Sequence, residues 1–366
     1  MRRTSHRPST CFPAVLALAA WTAAAAAQDF DQPPIRYSTT TANNAISELQ
    51  GRLDSGRANL AFEDGQGFLR SVLNELNVPA SSQTLVFSKT SLQRHCINPR
   101  TPRAVYFNDE VYVGYCQGGD VVEISAVDPS LGTVYYTLDQ QPAARPAFVR
   151  QTDSCLLCHG SSYNQGVPGH LVRSVFADRA GLPILSSGSY RIDHTSPFEQ
   201  RWGGWYVTGT HGDQKHLGNL IATNRDTLER LDNSAGLNVK ELTERFDTSK
   251  YLTPHSDIVA LMVLEHQAQG HNLIARANFL TRVALHHETQ LNKELSKPVG
   301  HRWESTTSRL KDAAEPLVKY LLFHEEARLT DPVCGTCEFA EQFSAIGPRD
   351  ALGRSLRQFD LNQRLF

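Results

Sequence analysis

No sign of charge dominates this sequence: 36 Lys plus Arg stand against 38 Asp plus Glu among 366 residues, a formal net charge of −2. A surface able to neutralise a phosphate backbone needs a one-signed basic excess, so the balance argues against nucleic-acid binding. Methionine is scarce, with only Met1 and Met262, which leaves a single internal thioether for any role. Long apolar runs are lacking beyond the N-terminus, where no stretch approaches the 18 or so residues a membrane-crossing helix needs. There is also no internal repeat, and no low-complexity tract apart from the alanines of the first 27 residues. At 40% hydrophobic and 20% charged residues the composition is that of a globular protein. A single core seldom grows past roughly 250 to 300 residues, so the length favours two regions.

Residues 1–27 read as a cleaved secretory signal peptide. Arg2, Arg3 and Arg7 form a basic start, an apolar run follows Pro13, and alanines to Ala27 supply the small residues a signal peptidase needs. The apolar run is about 14 residues, short of the ~20 of a spanning helix. The mature chain is therefore expected in the periplasm or secreted, and not membrane-spanning once the signal is removed.

Export sets the reading of cysteine. With Cys11 in the signal, six remain: Cys96, Cys116, Cys155, Cys158, Cys334 and Cys337. An even set in an oxidising compartment points to disulfides, here Cys96 with Cys116 and Cys334 with Cys337. Cys334-Gly-Thr-Cys337 has Glu338 where haem attachment needs histidine, and no βαβ alternation surrounds it as a thioredoxin-like pair requires. A four-cysteine zinc site from these two pairs stays an alternative.

The third pair has another pattern. Cys155-Leu-Leu-Cys158-His159 is C-x-x-C-H, in which two thiols add to the porphyrin vinyl groups and the adjacent imidazole lies beneath the iron. At this chain's own Cys and His frequencies the chance of one match anywhere is about 0.005. A local disulfide beside a surface histidine is the plain alternative.

Pattern along the chain changes twice. After an extended lead over 29–41, residues 42–56 and 65–76 carry helical spacing. From Thr84 the period becomes that of strands: Val105 to Val113 around an Asn-Asp turn, a second hairpin from Val121 to Thr137, and a third from His170 through Ala180-Gly-Leu-Pro to Ser186. Helix returns near the end, with Ser256 as N-cap of a run to Lys297. A break is expected near Gly270 or His286, and Pro316 should kink or divide a further helix over 306–326. The expectation is an α+β protein with a β-hairpin-rich N-terminal and central part and a helical C-terminal part. Its divisions are a mixed, haem-bearing region at 28–225 and a helical region at 226–366 packed on it.

On residues 155–159 the chain resembles the c-type cytochromes. The resemblance implies one covalent haem c held by Cys155 and Cys158, His159 as proximal axial ligand, and redox chemistry with protein partners. The motif lies far from the N-terminus and follows strand-like sequence, which departs from the small all-α class I cytochrome fold. Residues 103–140, 166–219 and 257–278 are also similar to an uncharacterised group of large single-haem secreted bacterial proteins. The sixth iron ligand is sought among His211 and His216 in a glycine-flanked loop, Met262 and His170. With such a ligand the function expected is one-electron transfer. With an open distal position the alternative is a haem enzyme of peroxidase or hydroxylamine-oxidising type, and a haem-based sensor ranks behind both.

Overall fold

A computed structural model describes residues 30–161, 164–224 and 226–357; the expected signal peptide lies outside the described residues. The lead segment is not extended. Residues 30–40 form successive turns that bury Tyr37 completely and set Phe30 edge-on to it at 5.5 Å. Helix α1 (Ala45–Asp54) starts at Asn44, whose side chain accepts from the Ile46 and Ser47 amides while Ser47 answers to the Asn44 amide. Two orphan donors at the helix start are thereby satisfied, the reciprocal arrangement of a capping box. A second short helix, α2 (Leu69–Glu75), comes next.

The platform is one antiparallel sheet of seven strands. In chain order these are β1 (Thr84–Val86), β2 (Arg103–Phe107), β3 (Val111–Tyr115), β4 (Val121–Asp128), β5 (Gly132–Asp139), β6 (Val149–Gln151) and, after a separate pair, β9 (Trp205–Tyr206). They lie in the order β6-β5-β4-β3-β2-β1-β9. The β2–β3 turn falls where the Asn-Asp pair places it, with Asn108 Oδ1 accepting from the Glu110 and Val111 amides. Register assigns the faces, since side chains alternate along each strand. Tyr106, Val113, Ile124, Val134 and Tyr136 point into a core closed by Ile46, Leu49, Leu69 and Val72 of the two helices. Tyr112, Glu123, Ser125, Tyr135 and Thr137 lie on the opposite face, which is more polar and carries the candidate site.

Between β6 and β9 come the single-turn helix α3 (Leu156–His159) and the pair β7 (Arg173–Val175) and β8 (Ser189–Arg191). The partner of β7 is thus β8, and Leu185 to Ser187 form a 3-10 turn instead of the expected strand. The C-terminal part is helical, with α4 (Ile258–Glu294), α5 (Glu304–Leu321) and α6 (Phe339–Ala345).

Three features of this part differ from expectation. Helix α4 runs unbroken for 37 residues, about 55 Å at 1.5 Å per residue. Its first half packs in a second core with Phe107, Trp202, Trp205 and Phe198, its middle lies against the sheet, and α5 covers it further on. Continuous packing offsets the weak helix propensity of Gly270, and Tyr320 of α5 fills the space beside that glycine. Pro316 lies within α5 without dividing it. The N-cap of α4 is Asp257, one residue beyond the expected Ser256: Asp257 Oδ1 accepts from the Val259 and Ala260 amides, while the Ser256 hydroxyl donates to Tyr206 O and accepts from Leu85 N. The architecture is α+β, with a β-rich N-terminal and central part and a helical C-terminal part, and is not a small all-α cytochrome fold. Among the described residues no helix is long and apolar enough to cross a membrane.

Candidate functional site

Cys155 opens α3, and its carbonyl accepts from the amides of Cys158 and His159, so both cysteines and the histidine share one helical turn. The turn leaves Cys158 exposed, Cys155 and His159 half-buried, and Leu157 82% exposed between them. Phe30 of the N-terminal segment closes over the turn at Gly160, where a Cβ would meet its ring at 2.9 Å.

The histidine is held by a backbone carbonyl ten residues further along the chain. His159 Nδ1 lies 2.9 Å from the carbonyl oxygen of Gly169, which only a protonated Nδ1 can satisfy. That bond fixes the tautomer with the lone pair on Nε2, an atom with no hydrogen-bond partner among the described residues. The Gly169 carbonyl also accepts from the Tyr135 hydroxyl and from Asn164 Nδ2, whose second bond runs to the His159 carbonyl. Tyr135 in turn sits under the imidazole, ring centroids 4.9 Å apart. Asn272, from the middle of α4, clamps the next residue by accepting from the His170 amide and donating to the His170 carbonyl. Gly169 has no alternative, because a Cβ there would meet Asn272 Oδ1 at 2.2 Å.

Burial lowers the pKa of His159 and keeps it neutral, and burial pushes the Cys155 thiol up to about 11 with Glu123 adding to the effect. Glu123 faces Arg103 at 2.7 Å on the same side of the sheet, and Arg103 lies across Gly114, where a Cβ would meet its guanidinium. Val149 on the edge strand is 54% exposed. A neutral imidazole whose Nε2 has no partner among the described residues, two thiols one helical turn apart and exposed apolar side chains nearby form a donor set that fits covalent haem c.

The residues considered for a sixth ligand fall in different places. His170 adjoins the site through Gly169, but its Nε2 is 2.9 Å from Ser125 Oγ, its Nδ1 is 3.4 Å from Thr133 Oγ1, and its ring packs on Tyr112 at 4.0 Å. His211 and His216 meet each other, centroids 4.7 Å apart, against Phe198 and Trp202. His211 Nε2 accepts from Asn238 N and His216 Nδ1 from Gly218 N. Met262 is 5% exposed in the second core, ten residues before Asn272, about 15 Å along the helix. The structure thus brings together Cys155, Cys158, His159 and His170, and sets the other three apart from them.

The supporting residues Tyr135, Asn164, Gly169 and Asn272 were not singled out by the sequence. Only the Pro168-Gly169 turn signal marks their location. The six described cysteines are thiols: Cys96 Sγ contacts Gly118 O and Cys337 Sγ contacts Ser81 O, both at 3.6 Å. Compared with known protein families, curated proteins and solved structures, the chain matches none.

Proposed function

We propose that this chain is an exported mono-haem c-type cytochrome, in which haem c is bound covalently through Cys155 and Cys158 and ligated by His159, and which passes single electrons to redox partner proteins. The observation that carries the reading is His159, whose Nδ1 is committed to Gly169 O while neutral Nε2 has no partner among the described residues. Haem c, when bound, supplies one-electron Fe(III)/Fe(II) chemistry. The chain's own part is positional. Tyr135 and Asn164 hold the Gly169 carbonyl, that carbonyl orients the imidazole, and the bond raises the basicity of the ligating nitrogen. Burial keeps a second proton off the ring.

The test is export of the full chain with haem-maturation factors. One haem per polypeptide should survive acid-acetone extraction and denaturing electrophoresis. Cys155→Ser or Cys158→Ser should abolish normal attachment, while Cys334→Ser should not. Haem released into the solvent defeats the reading.

One observation favours the enzymatic alternative. His170 has both ring nitrogens engaged, Met262 is buried in the second core, and His211 and His216, with one nitrogen each engaged, pack against Phe198 and Trp202. A distal position without a protein ligand suits catalysis at iron better than electron carriage. Rapid carbon monoxide binding by a high-spin ferrous protein, with turnover of peroxide or hydroxylamine, would establish it. Low-spin spectra unchanged by carbon monoxide would restore the simple carrier.

A further inference from the structure

A cavity of about 480 Å³ has walls that come from two chain segments. The segment after β1 contributes Lys89, Arg94 and His95; the β7 region contributes Arg173, Leu182, Pro183 and Leu185. Neither aspartate nor glutamate is among the lining residues. Lys89, Arg94 and Arg173 enter no ion pair among the described residues, and Arg173 only donates to the Ser189 hydroxyl. Ion pairs elsewhere on the chain join Arg52 to Glu75, Arg103 to Glu123 and Arg201 to Glu265. What distinguishes these three is place: they line one cavity with no carboxylate among its lining residues.

The walls are fixed before any ligand arrives. Gln93 is 3% exposed and binds Val121 through both its amide nitrogen and its oxygen, with a further bond to Glu123. The Lys89 amide donates to the Gly181 carbonyl at 2.7 Å, tying one wall to the other. Gly181 has φ +79°, and a Cβ there would meet Phe87 O at 2.4 Å, so the close approach requires glycine. Beside the cations, Leu182 and Leu185 are 52% and 64% exposed and give the cavity an apolar side. One-signed charge in a concave site focuses its field on a ligand of opposite sign.

We propose that this cleft is a binding site for a carboxylate carried on an apolar body, with Lys89, Arg94 and Arg173 engaging the charge and Leu182, Pro183 and Leu185 the body. Two sources share that chemistry: a propionate of the chain's own haem, or a free organic acid. Only the first rests on the haem c reading.

Benzoate titrated calorimetrically into the exported full-length protein separates them. For a free acid, benzoate binds the wild type, Lys89→Gln and Arg173→Gln each weaken it by roughly tenfold or more, and Lys89→Arg retains it. Arg179→Gln, outside the cleft, leaves it unchanged. For a propionate, the haem-loaded wild type excludes benzoate, while Lys89→Gln and Arg173→Gln lower the haem midpoint potential by leaving a carboxylate uncompensated. The proposal is overturned if benzoate binding persists undiminished in both variants. It is equally overturned if benzoate fails to bind and the potential stays at the wild-type value. Should no covalent haem form, the haem reading fails by itself, and calorimetry on the same protein still decides whether the cleft takes the acid.

Discussion

His159 Nδ1 and the carbonyl oxygen of Gly169 stand 2.9 Å apart, so the chain after the C-x-x-C-H turn loops back within ten residues to orient the turn's own histidine. The carbonyl is not free to rotate, since Tyr135, Asn164 and the neighbouring Asn272 clamp surround it. The consequences can be measured one group at a time.

Removing the clamp should cost stability and loosen the histidine together. Asn272→Ala leaves the buried amide and carbonyl of His170 without partners, at roughly 1–3 kcal/mol for each group. Covalent attachment of haem should survive in this variant, with broadened or multiple haem signals in the magnetic-resonance spectrum. A spectrum and a denaturation midpoint both equal to wild type would show that Asn272 does not position His159.

The Arg201–Glu265 pair is the most deeply buried ion pair described, at 2.6 Å with the two side chains 2% and 1% exposed. Trp202 Nε1 also donates to Glu265. Burial pushes the Glu265 carboxyl up to about 7, and Arg201 offsets only part of that effect. Arg201→Met strands the carboxylate and should destabilise the protein by about 3–5 kcal/mol in urea unfolding at pH 8. Arg201→Met combined with Glu265→Leu should recover most of the loss, because no uncompensated charge remains.

Three histidines, one buried and two half-buried, set an acid limit. Burial lowers His216 to about 3 and His266 and His271 to about 4, against 6.5 when exposed. Below pH 6.5 the unfolded chain gains protons that the folded chain refuses. Stability is therefore at its full value above that pH. It declines as pH falls, until the folded protein also protonates near 4 for His266 and His271 and near 3 for His216. Each histidine adds about 1.4 kcal/mol per pH unit to the slope between 6.5 and 4. Urea midpoints measured across that range should show a slope reduced by one proton in His266→Phe.

Cysteine chemistry is predicted from both compartment and burial. These four cysteines are thiols in the structure, and the oxidising compartment expected for the exported protein should convert Cys96 with Cys116 and Cys334 with Cys337 into two disulfides that resist alkylation without reductant. After reduction under native conditions Cys334, which is exposed, should react first. Cys116 and Cys337 should lag, since burial pushes each thiol up to about 12. Four alkyl groups taken up before reduction would show the disulfide expectation to be wrong.

Local signals in the sequence located what is local in the structure. The strand pattern with Asn108 at its turn, the helical spacing of 42–56 and the C-x-x-C-H turn itself depend on residues within a few positions of each other. Misreadings arose where distant packing decides. Gly270 is a break signal only if nothing stands beside it, and Tyr320 does. Ser256 is a good cap residue, but its hydroxyl is recruited by Tyr206 and Leu85, and Asp257 caps instead. The partner of β7 lies beyond a 3-10 turn that the apolar run Ile184-Leu185 disguises as a strand. The residues that orient His159 come from a strand, a turn and a helix separated by up to 137 positions, and no spacing rule connects Tyr135 with Asn272.

That distance orders events in time. The bond from the His170 amide to Asn272 spans 102 residues, so a chain emerging from its N-terminus presents the C-x-x-C-H turn long before the helix that clamps it exists. Until α4 docks, His170 lacks its Asn272 clamp and the turn is held only through Tyr135 and Asn164. Once it docks, the imidazole is locked and α4 lies against the sheet. Early access and late rigidity result from placing the clamp in the C-terminal half, and a polypeptide ending before residue 258 would keep the first and lose the second.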